Sequence, residues 1–401
     1  MNYQEKKCPV CGYSIAKSLF DSGAKTLSTI VWAESKQEAI SLEKYNQEYI
    51  KCLNCTHIWN HLFDWNDIPY DKKSNKMFNN GSNWKKHLNH LGEWVSEKLT
   101  NNPTIIEIGC GDGHFLQRLS SFYYGKANFI GFDPSGDINE SNSSITFYKS
   151  LFEPQKDIPK YKPNLIIMRH LLEHLSEPST FLQSMSWAVH SQNIETYLFC
   201  EVPCIDKVFQ TARISDFYYE HPSQFSTNSF TKLMKSCGEI IDIKKLYGGE
   251  VICGLIKLKP TQKQLDIDLL AEKISKKIES GLIEITKDLS YLVSTGKRIA
   301  IWGGTGKCAA FMHHYNVSEK DFSIVVDSDS RKVGTFVPGV GQKILSAKYL
   351  IEHPVEILII PTQWRAKDIL KEADSLNLNF ELVLIEHNGK LVDFNNSTHP
   401  Y

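Results

Sequence analysis

The segment 104–133 constrains the fold more than any other part of the chain. Thr104–Ile108 is a short apolar run that ends in Glu107-Ile108, and Gly109, Gly111 and Gly113 then alternate with Cys110 and Asp112. Phe115, Leu116 and Leu119 follow at helical spacing, and a second apolar run, Asn128–Phe132, ends at Asp133. Strand, glycine loop, helix, strand is how a parallel α/β sheet opens. Alternate glycines let the backbone pass close to a ligand where a Cβ would clash. Asp133 stands 20 residues after Gly113, the distance at which a carboxylate reaches ribose hydroxyls. Glu107 precedes the glycines, and an acid there suits a cationic ligand such as a sulfonium or an amine better than a diphosphate.

The rest of the chain keeps alternating. Leu165–Met168, Thr196–Glu201, Ile240–Leu246 and Val251–Leu258 read as strands between helical stretches, which predicts a mostly parallel sheet covered on both faces. Ligands bind beyond the carboxyl ends of such strands, so the glycine loop, Asp133, Arg169, His170 and Pro203 should gather in one crevice. After Pro260, Leu265, Leu269, Leu270, Ile274, Ile278, Leu282, Ile285, Leu289 and Leu292 recur at helical spacing, with a break expected near Gly281. A second strand, Arg298–Trp302, runs into Gly303-Gly304-Thr305-Gly306-Lys307, and Phe322–Val326 ends at Asp327. This predicts a second Rossmann-like domain whose loop amides and Lys307 hold a substrate diphosphate. Cys308 stands where a Walker loop needs Ser or Thr, which argues against ATP hydrolysis.

Four of the ten cysteines form two pairs, Cys8-Pro-Val-Cys11 and Cys52-Leu-Asn-Cys55. Each pair lets two thiolates from one turn reach the same ion, and the two turns complete a closed tetrahedral shell. The reading is a structural zinc with no part in catalysis, with Thr29–Trp32 as a strand looping out between the pairs. Lys+Arg number 45 and Asp+Glu 46, a near-neutral balance that disfavours binding to nucleic-acid backbone. No apolar run approaches the ~18–20 residues of a membrane helix, and the polar start at 1–7 has no secretory pattern. A cytoplasmic protein with no membrane partner is expected.

Asp216 to Ser226 reads Asp-Phe-Tyr-Tyr-Glu-His-Pro-Ser-Gln-Phe-Ser. Tyr218, Tyr219, Glu220 and His221 place phenols, a carboxylate and an imidazole together, and Pro222 biases His221 out of helix. Ser226 or Thr227 can cap a helix over Thr227–Cys237. Histidine is the usual proton-transfer residue near neutral pH. The residue types alone also allow an exposed loop whose aromatics pack on a rim.

Glu107 with the glycines and Asp133 resembles class I S-adenosylmethionine methyltransferases. The whole order of features is similar to the sugar C-methyltransferase family, whose members methylate carbon of nucleotide-linked keto-deoxysugars. The residues that carry this are the two cysteine pairs, Arg169-His170-x-Leu-Glu-His174, Tyr218-x-Glu220-His221, Tyr247-Gly248-Gly249 and the loop 303–307. The resemblance implies three domains: a zinc-binding domain over 1–68, a methyltransferase domain over 69–260 and a Rossmann-like substrate-binding domain over 261–401. Its cofactor set is Glu107, Gly109, Gly111, Gly113, Asp133, Pro134, Phe152, Arg169 and His170. Its substrate set is His174, Tyr219, Gly303, Gly304 and Lys307. His221 is the expected base, oriented by Glu220, with Tyr218 hydrogen-bonding an enolate oxygen. The family loop has His where Tyr219 stands, and its Tyr- and Ser-rich stretch survives only in parts, Tyr70, 77–82 and His87. An O- or N-methyltransferase and a non-catalytic cofactor-binding protein are the alternatives. A monomer or weak homodimer is expected.

Overall fold

Three sheets carry the chain in the computed structural model, which describes residues 3–30, 32–69, 79–99, 102–135 and 145–401. The first is antiparallel: β1 (Tyr3–Glu5), β2 (Ile15–Lys25), β3 (Tyr45–Cys52) and β4 (Ile58–Asn60), closed by β10 (Ser223–Gln224). That last strand is short and comes from far along the sequence. It pairs with β4 so that Ser223 lies opposite Trp59.

The second sheet holds β5 (Thr104–Ile108), β6 (Asn128–Phe132), β7 (Ile145–Tyr148), β8 (Leu165–Arg169), β9 (Tyr197–Pro203), β11 (Gly238–Leu246) and β12 (Val251–Leu258). Their order is β11-β12-β9-β8-β5-β6-β7. The five strands from β9 to β7 are parallel, β12 runs against β9, and β11 against β12. Alternate residues leave the sheet on opposite faces. Ile106, Ile130, Ile166, Met168 and Leu198 enter one apolar cluster, while Ile105, Phe129, Leu165, Ile167 and Phe199 enter the other. Both faces are covered, which is why these strands are apolar throughout. β6 lies on one side of β5 and β8 on the other, so the strand order reverses where the loop 109–113 leaves the sheet.

The third sheet holds β13 (Ile299–Trp302), β14 (Ile324–Asp327), β15 (Ile344–Ser346), β16 (Ile357–Ile360), β17 (Leu382–His387) and β18 (Lys390–Asp393). Its order is β15-β14-β13-β16-β17-β18, parallel except for β18. It too reverses direction at the strand that feeds a glycine loop.

Residues Met1–Leu265 form one compact unit and Asp266–Tyr401 a second, so the cysteine region shares a unit with the parallel sheet. Among the described residues no helix is long and apolar enough to cross a membrane. The helix Gln262–Ser294 is continuous, and the break expected at Gly281 is absent. Gly281 is there for closeness instead: a Cβ on it would lie 3.0 Å from Gly389 Cα. The strand expected over Thr29–Trp32 is also absent. Ser28, Thr29 and Ile30 form a bend, and Val31 lies outside the described residues. Tyr70, Met77 and Phe78 lie outside them as well.

Candidate active site

β5 delivers the chain into the loop 109–113, and Gly109, Gly111 and Gly113 all have positive φ. Gly111 is the one with open space where a Cβ would stand, so the loop presents bare backbone at that point. Asp133 closes the loop from the end of β6. Gly111 N–H donates to its Oδ2 at 2.9 Å, and Ser135 donates to Oδ1 through both N–H (3.0 Å) and Oγ (2.6 Å). Pro134 sits half-buried between these partners. Glu107, inside β5, is buried with Oε2 lacking any hydrogen-bond partner. Burial lifts its carboxyl to about 8, against the pull of Arg169 and with the push of Asp112, Asp133 and Glu201. A buried acid with an unfilled acceptor beneath an open glycine loop fits a cationic ligand. Phe152 is a core residue, edge-on to Phe132 with ring centroids 5.2 Å apart.

A polar hub lies at the ends of β8 and β9. Glu201 is fully buried and collects Arg169 Nη2 at 3.0 Å, His87 Nε2 at 2.7 Å and His170 Nε2 at 2.9 Å. Burial opposes its charge, but the Arg169 guanidinium, the hydrogen bonds from His170 and His87 and the charge on His170 hold the carboxyl well below its ordinary range. His170 stands between Glu201 and Glu173, with Nδ1 3.4 Å from Glu173 Oε1. Burial opposes its charge too, yet the two carboxylates lift the imidazole to about 9. Arg169 also lies over the Phe115 ring, 4.4 Å from its centroid. Trp84 and Tyr247 pack on His87, at ring distances of 5.2 and 5.4 Å.

The loop before β10 brings the second group of polar residues to the same end of the sheet. His174 follows β8 in a short 3-10 turn, and its Nδ1 donates to the Glu220 carbonyl at 2.7 Å. The His221 ring meets it edge-on at 4.6 Å, and Tyr218 Oη lies 2.9 Å from His221 Nε2. Burial, with His174 and His170 nearby, holds His221 well below its ordinary pKa, so the imidazole is neutral. Burial likewise raises the Tyr218 phenol, which stays protonated.

Cys8, Cys11, Cys52 and Cys55 converge with all four sulfurs within 4.8 Å of one another. Cys8 Sγ lies 3.5 Å from Cys55 Sγ, and Cys11 Sγ 3.6 Å from Cys52 Sγ. A tetrahedral zinc with ~2.3 Å bonds to sulfur places its ligands about 3.8 Å apart, so the four thiols fit this ion. In the second unit, Gly304 N–H donates to Asp327 Oδ2 at 3.0 Å, the same pairing that Gly111 makes with Asp133. Lys307 Nζ lies 3.9 Å from the Trp364 ring centroid. Gly303 and Gly304 turn inward, where a Cβ would meet Cys308 Sγ at 2.2 Å and Ile344 Cδ1 at 2.4 Å respectively.

Residues 81–238 match the family model of a methyltransferase domain, and residues 262–382 that of a C-methyltransferase C-terminal domain. The chain is an S-adenosylmethionine-dependent methyltransferase. No curated protein matches it in sequence. Among solved structures it is similar over 45% of its length to magnesium protoporphyrin IX methyltransferase from Synechocystis PCC 6803 with bound SAH, at 13% identity, 84% of that chain and a TM-score of 0.32. It is similar over 45% to N-methyltransferase NodS from Bradyrhizobium japonicum WM9, at 11% identity, 99% of that chain and a TM-score of 0.31. A protein from Pyrococcus horikoshii OT3 is similar over 45%, at 12% identity, 93% of that chain and a TM-score of 0.35.

Two residues of this methyltransferase lie elsewhere than their sequence positions suggested. Glu220 does not orient His221. Its Oε1 accepts from Ser28 N–H (2.6 Å), Thr29 N–H (2.7 Å) and Thr29 Oγ1 (3.1 Å), because neighbouring residues in this turn point to different sides. Tyr219, placed in the substrate set, is 1% exposed in a core with Leu27, Ile30 and Ile68. Its hydroxyl donates to Asp67 and accepts from Asp64 N–H at 3.0 Å. Sequence reasoning missed Glu201 and Glu173. The signal for Glu201 was an acid inside the apolar run 197–203, where burial demands a partner.

Proposed function

We propose that this enzyme methylates a carbon next to the ketone of a nucleotide-linked deoxysugar, through an enolate. The observation that carries this reading is the buried, neutral His221 with Tyr218 Oη 2.9 Å from its Nε2. Carbon becomes a nucleophile only after a proton alpha to a carbonyl is lost. A neutral imidazole has an open lone pair with which to take it. With Nε2–H donating to Tyr218 Oη, the Nδ1 lone pair of His221 is the base, and the Tyr218 proton is left to hydrogen-bond the developing enolate oxygen. His174 supports the pair from behind, fixed by the Glu220 carbonyl.

S-adenosylmethionine supplies the methyl group as a sulfonium. The loop 109–113, Glu107 and Asp133 are the residues proposed to hold it, with the Asp133 carboxylate sharing its lone pairs between Gly111, Ser135 and the ribose. Arg169 and His170 order the adjacent crevice through Glu201. In the second unit, Lys307 and the loop 303–306 are proposed to bind the nucleotide's phosphates, Gly306 having open space where a Cβ would stand. The C-methyltransferase match of residues 262–382 supports carbon as the acceptor. The four-cysteine site is proposed to hold zinc as a structural ion.

Deuterium exchange separates this reading from O- or N-methylation. A keto-deoxysugar nucleotide incubated in heavy water with the enzyme and no S-adenosylmethionine should exchange its alpha proton. The His221→Ala variant should lose that exchange by about 10²–10⁴-fold, the usual worth of a positioned base. Turnover on a hydroxyl or amine with no exchange at carbon would overturn it.

A further inference from the structure

Glu173 is used by nothing in the mechanism, and its surroundings are unusual. Its side chain is 2% exposed, and both carboxylate oxygens lack a hydrogen-bond partner. Its ion-pair contact among the described residues is with His170, whose Nδ1 at 3.4 Å lacks hydrogen-bond geometry. A buried carboxylate of this kind is costly unless something coordinates it. One Glu173 oxygen, one ring nitrogen of His174 and one of His221 all lie within 4.8 Å of one another.

We propose that Glu173, His174 and His221 form a second metal site, distinct from the four cysteines, for a borderline-soft divalent cation of the zinc class. The two imidazoles and one carboxylate match the protein ligands of open zinc sites, and two nitrogens among three donors disfavour magnesium or calcium. Zinc ligands that are nitrogen or oxygen stand about 3.3 Å apart, so shifts of about 1 Å close the cluster. The outer partners are already in place. A ligating imidazole normally donates its other N–H to a carbonyl or a polar oxygen. His174 Nδ1 meets the Glu220 carbonyl at 2.7 Å, which directs Nε2 to the ion. His221 Nε2 meets Tyr218 Oη at 2.9 Å, which directs Nδ1 to the ion. His170, released from Glu173, keeps Glu201 at 2.9 Å.

The consequence is regulatory. The cation takes the same Nδ1 lone pair that abstracts the substrate proton, so metal occupancy and proton abstraction exclude each other. This consequence rests on His221 as the base, whereas the binding itself does not.

The test uses full-length enzyme with its cysteine site loaded with zinc, titrated with Co2+ as the probe. Equilibrium dialysis should give one further equivalent, with the visible spectrum of a nitrogen and oxygen site rather than a thiolate one. Glu173→Gln and, separately, His221→Gln should each weaken that equivalent at least about tenfold. Bound Co2+ should suppress alpha-proton exchange in parallel with occupancy. No further equivalent, or one unaffected in both variants, overturns the site. A bound equivalent that leaves exchange unchanged overturns the inhibitory role while leaving the binding intact. Exchange that is absent with and without Co2+ would instead sink the enolate reading and leave the metal site standing.

Discussion

Glu107 and Glu201 stand on either side of β8, both buried, and their surroundings drive them in opposite directions. Glu107 has one unfilled oxygen and several acids nearby, and its carboxyl rises to about 8. The folded protein therefore keeps a proton there that the unfolded chain releases near 4.5. This group's contribution to stability is complete below about 4.5 and is lost as pH climbs through about 8. Glu107→Gln should flatten that part of the thermal-stability profile. A cationic cofactor beside Glu107 favours its carboxylate, so binding should release a proton. Calorimetry of S-adenosylmethionine at pH 7 in two buffers of different ionisation enthalpy should then differ, and the difference should vanish in Glu107→Gln. Equal heats in both buffers for the parent enzyme would remove Glu107 from the cofactor site. Glu201 has the opposite sign. Its carboxyl lies well below the ordinary value of 4.5, so its contribution is present above that pH and fades as pH falls further. Glu201→Ala strands Arg169 without a counter-charge and leaves His170 with Glu173 alone, and should cost about 3–5 kcal/mol in urea unfolding. A loss under about 1 kcal/mol would mean the hub is solvated rather than buried.

The loop 217–226 is held in large part by groups far from it in sequence. Tyr49 Oη donates to the Tyr218 carbonyl at 3.1 Å, Tyr219 is gripped between Asp67 and Asp64, and Asn60 N–H donates to the Pro222 carbonyl at 2.8 Å. Tyr219→Phe removes two hydrogen bonds of a buried hydroxyl and should cost about 1–3 kcal/mol. Its effect on alpha-proton exchange should be far smaller than that of His221→Ala. If Tyr219→Phe abolished exchange and His221→Ala did not, the phenol would be the base. The same element shows what was legible in the sequence. Ser226 does cap the helix Thr227–Cys237, with Ser229 completing a reciprocal box, because capping is a local matter of four residues. The strands β5, β6, β8 and β12 were also readable, since burial on both faces leaves continuous apolar runs. What Tyr219 and Glu220 touch was not readable. Their partners at 28–29 and 64–67 are more than 150 residues away, and period and propensity say nothing about such pairings. The two-residue β10 was unreadable for the same reason, since only its pairing with β4 makes it a strand.

At the scale of the whole first unit, the cysteine site and the proposed base belong to one continuous structure. Cys52 ends β3, Cys55 precedes β4, and β4 pairs with β10 two residues after His221. The second cysteine turn is also sewn to the helix that follows β10. The Asn228 side-chain amide donates to the Cys55 carbonyl at 3.0 Å, and Thr56 Oγ1 meets Ser226 Oγ at 2.7 Å. Between them His57 packs on Phe225 with ring centroids 4.9 Å apart. A zinc ion closing the four thiols would thus fix the exit of the loop that carries the proposed base without touching substrate. The loop 109–113, in contrast, donates its hydrogen bonds to Asp133 and to the Phe132 carbonyl at the end of β6. Removing the metal should therefore separate the two halves of catalysis. Cys55→Ser, or zinc-stripped enzyme, should retain S-adenosylmethionine affinity within about threefold, a difference of roughly 0.7 kcal/mol. Alpha-proton exchange and methyl transfer should fall by at least about a hundredfold, because a base displaced by an ångström loses its line to the proton. Hydrogen exchange should locate the cause, with protection lost at the amides of Asn60, Ser223 and Gln224 and kept across β5 and β6. Cofactor affinity collapsing together with exchange would show that the metal stabilises the whole unit. Full activity in a protein proven free of metal would show that β4 and β10 hold the loop unaided.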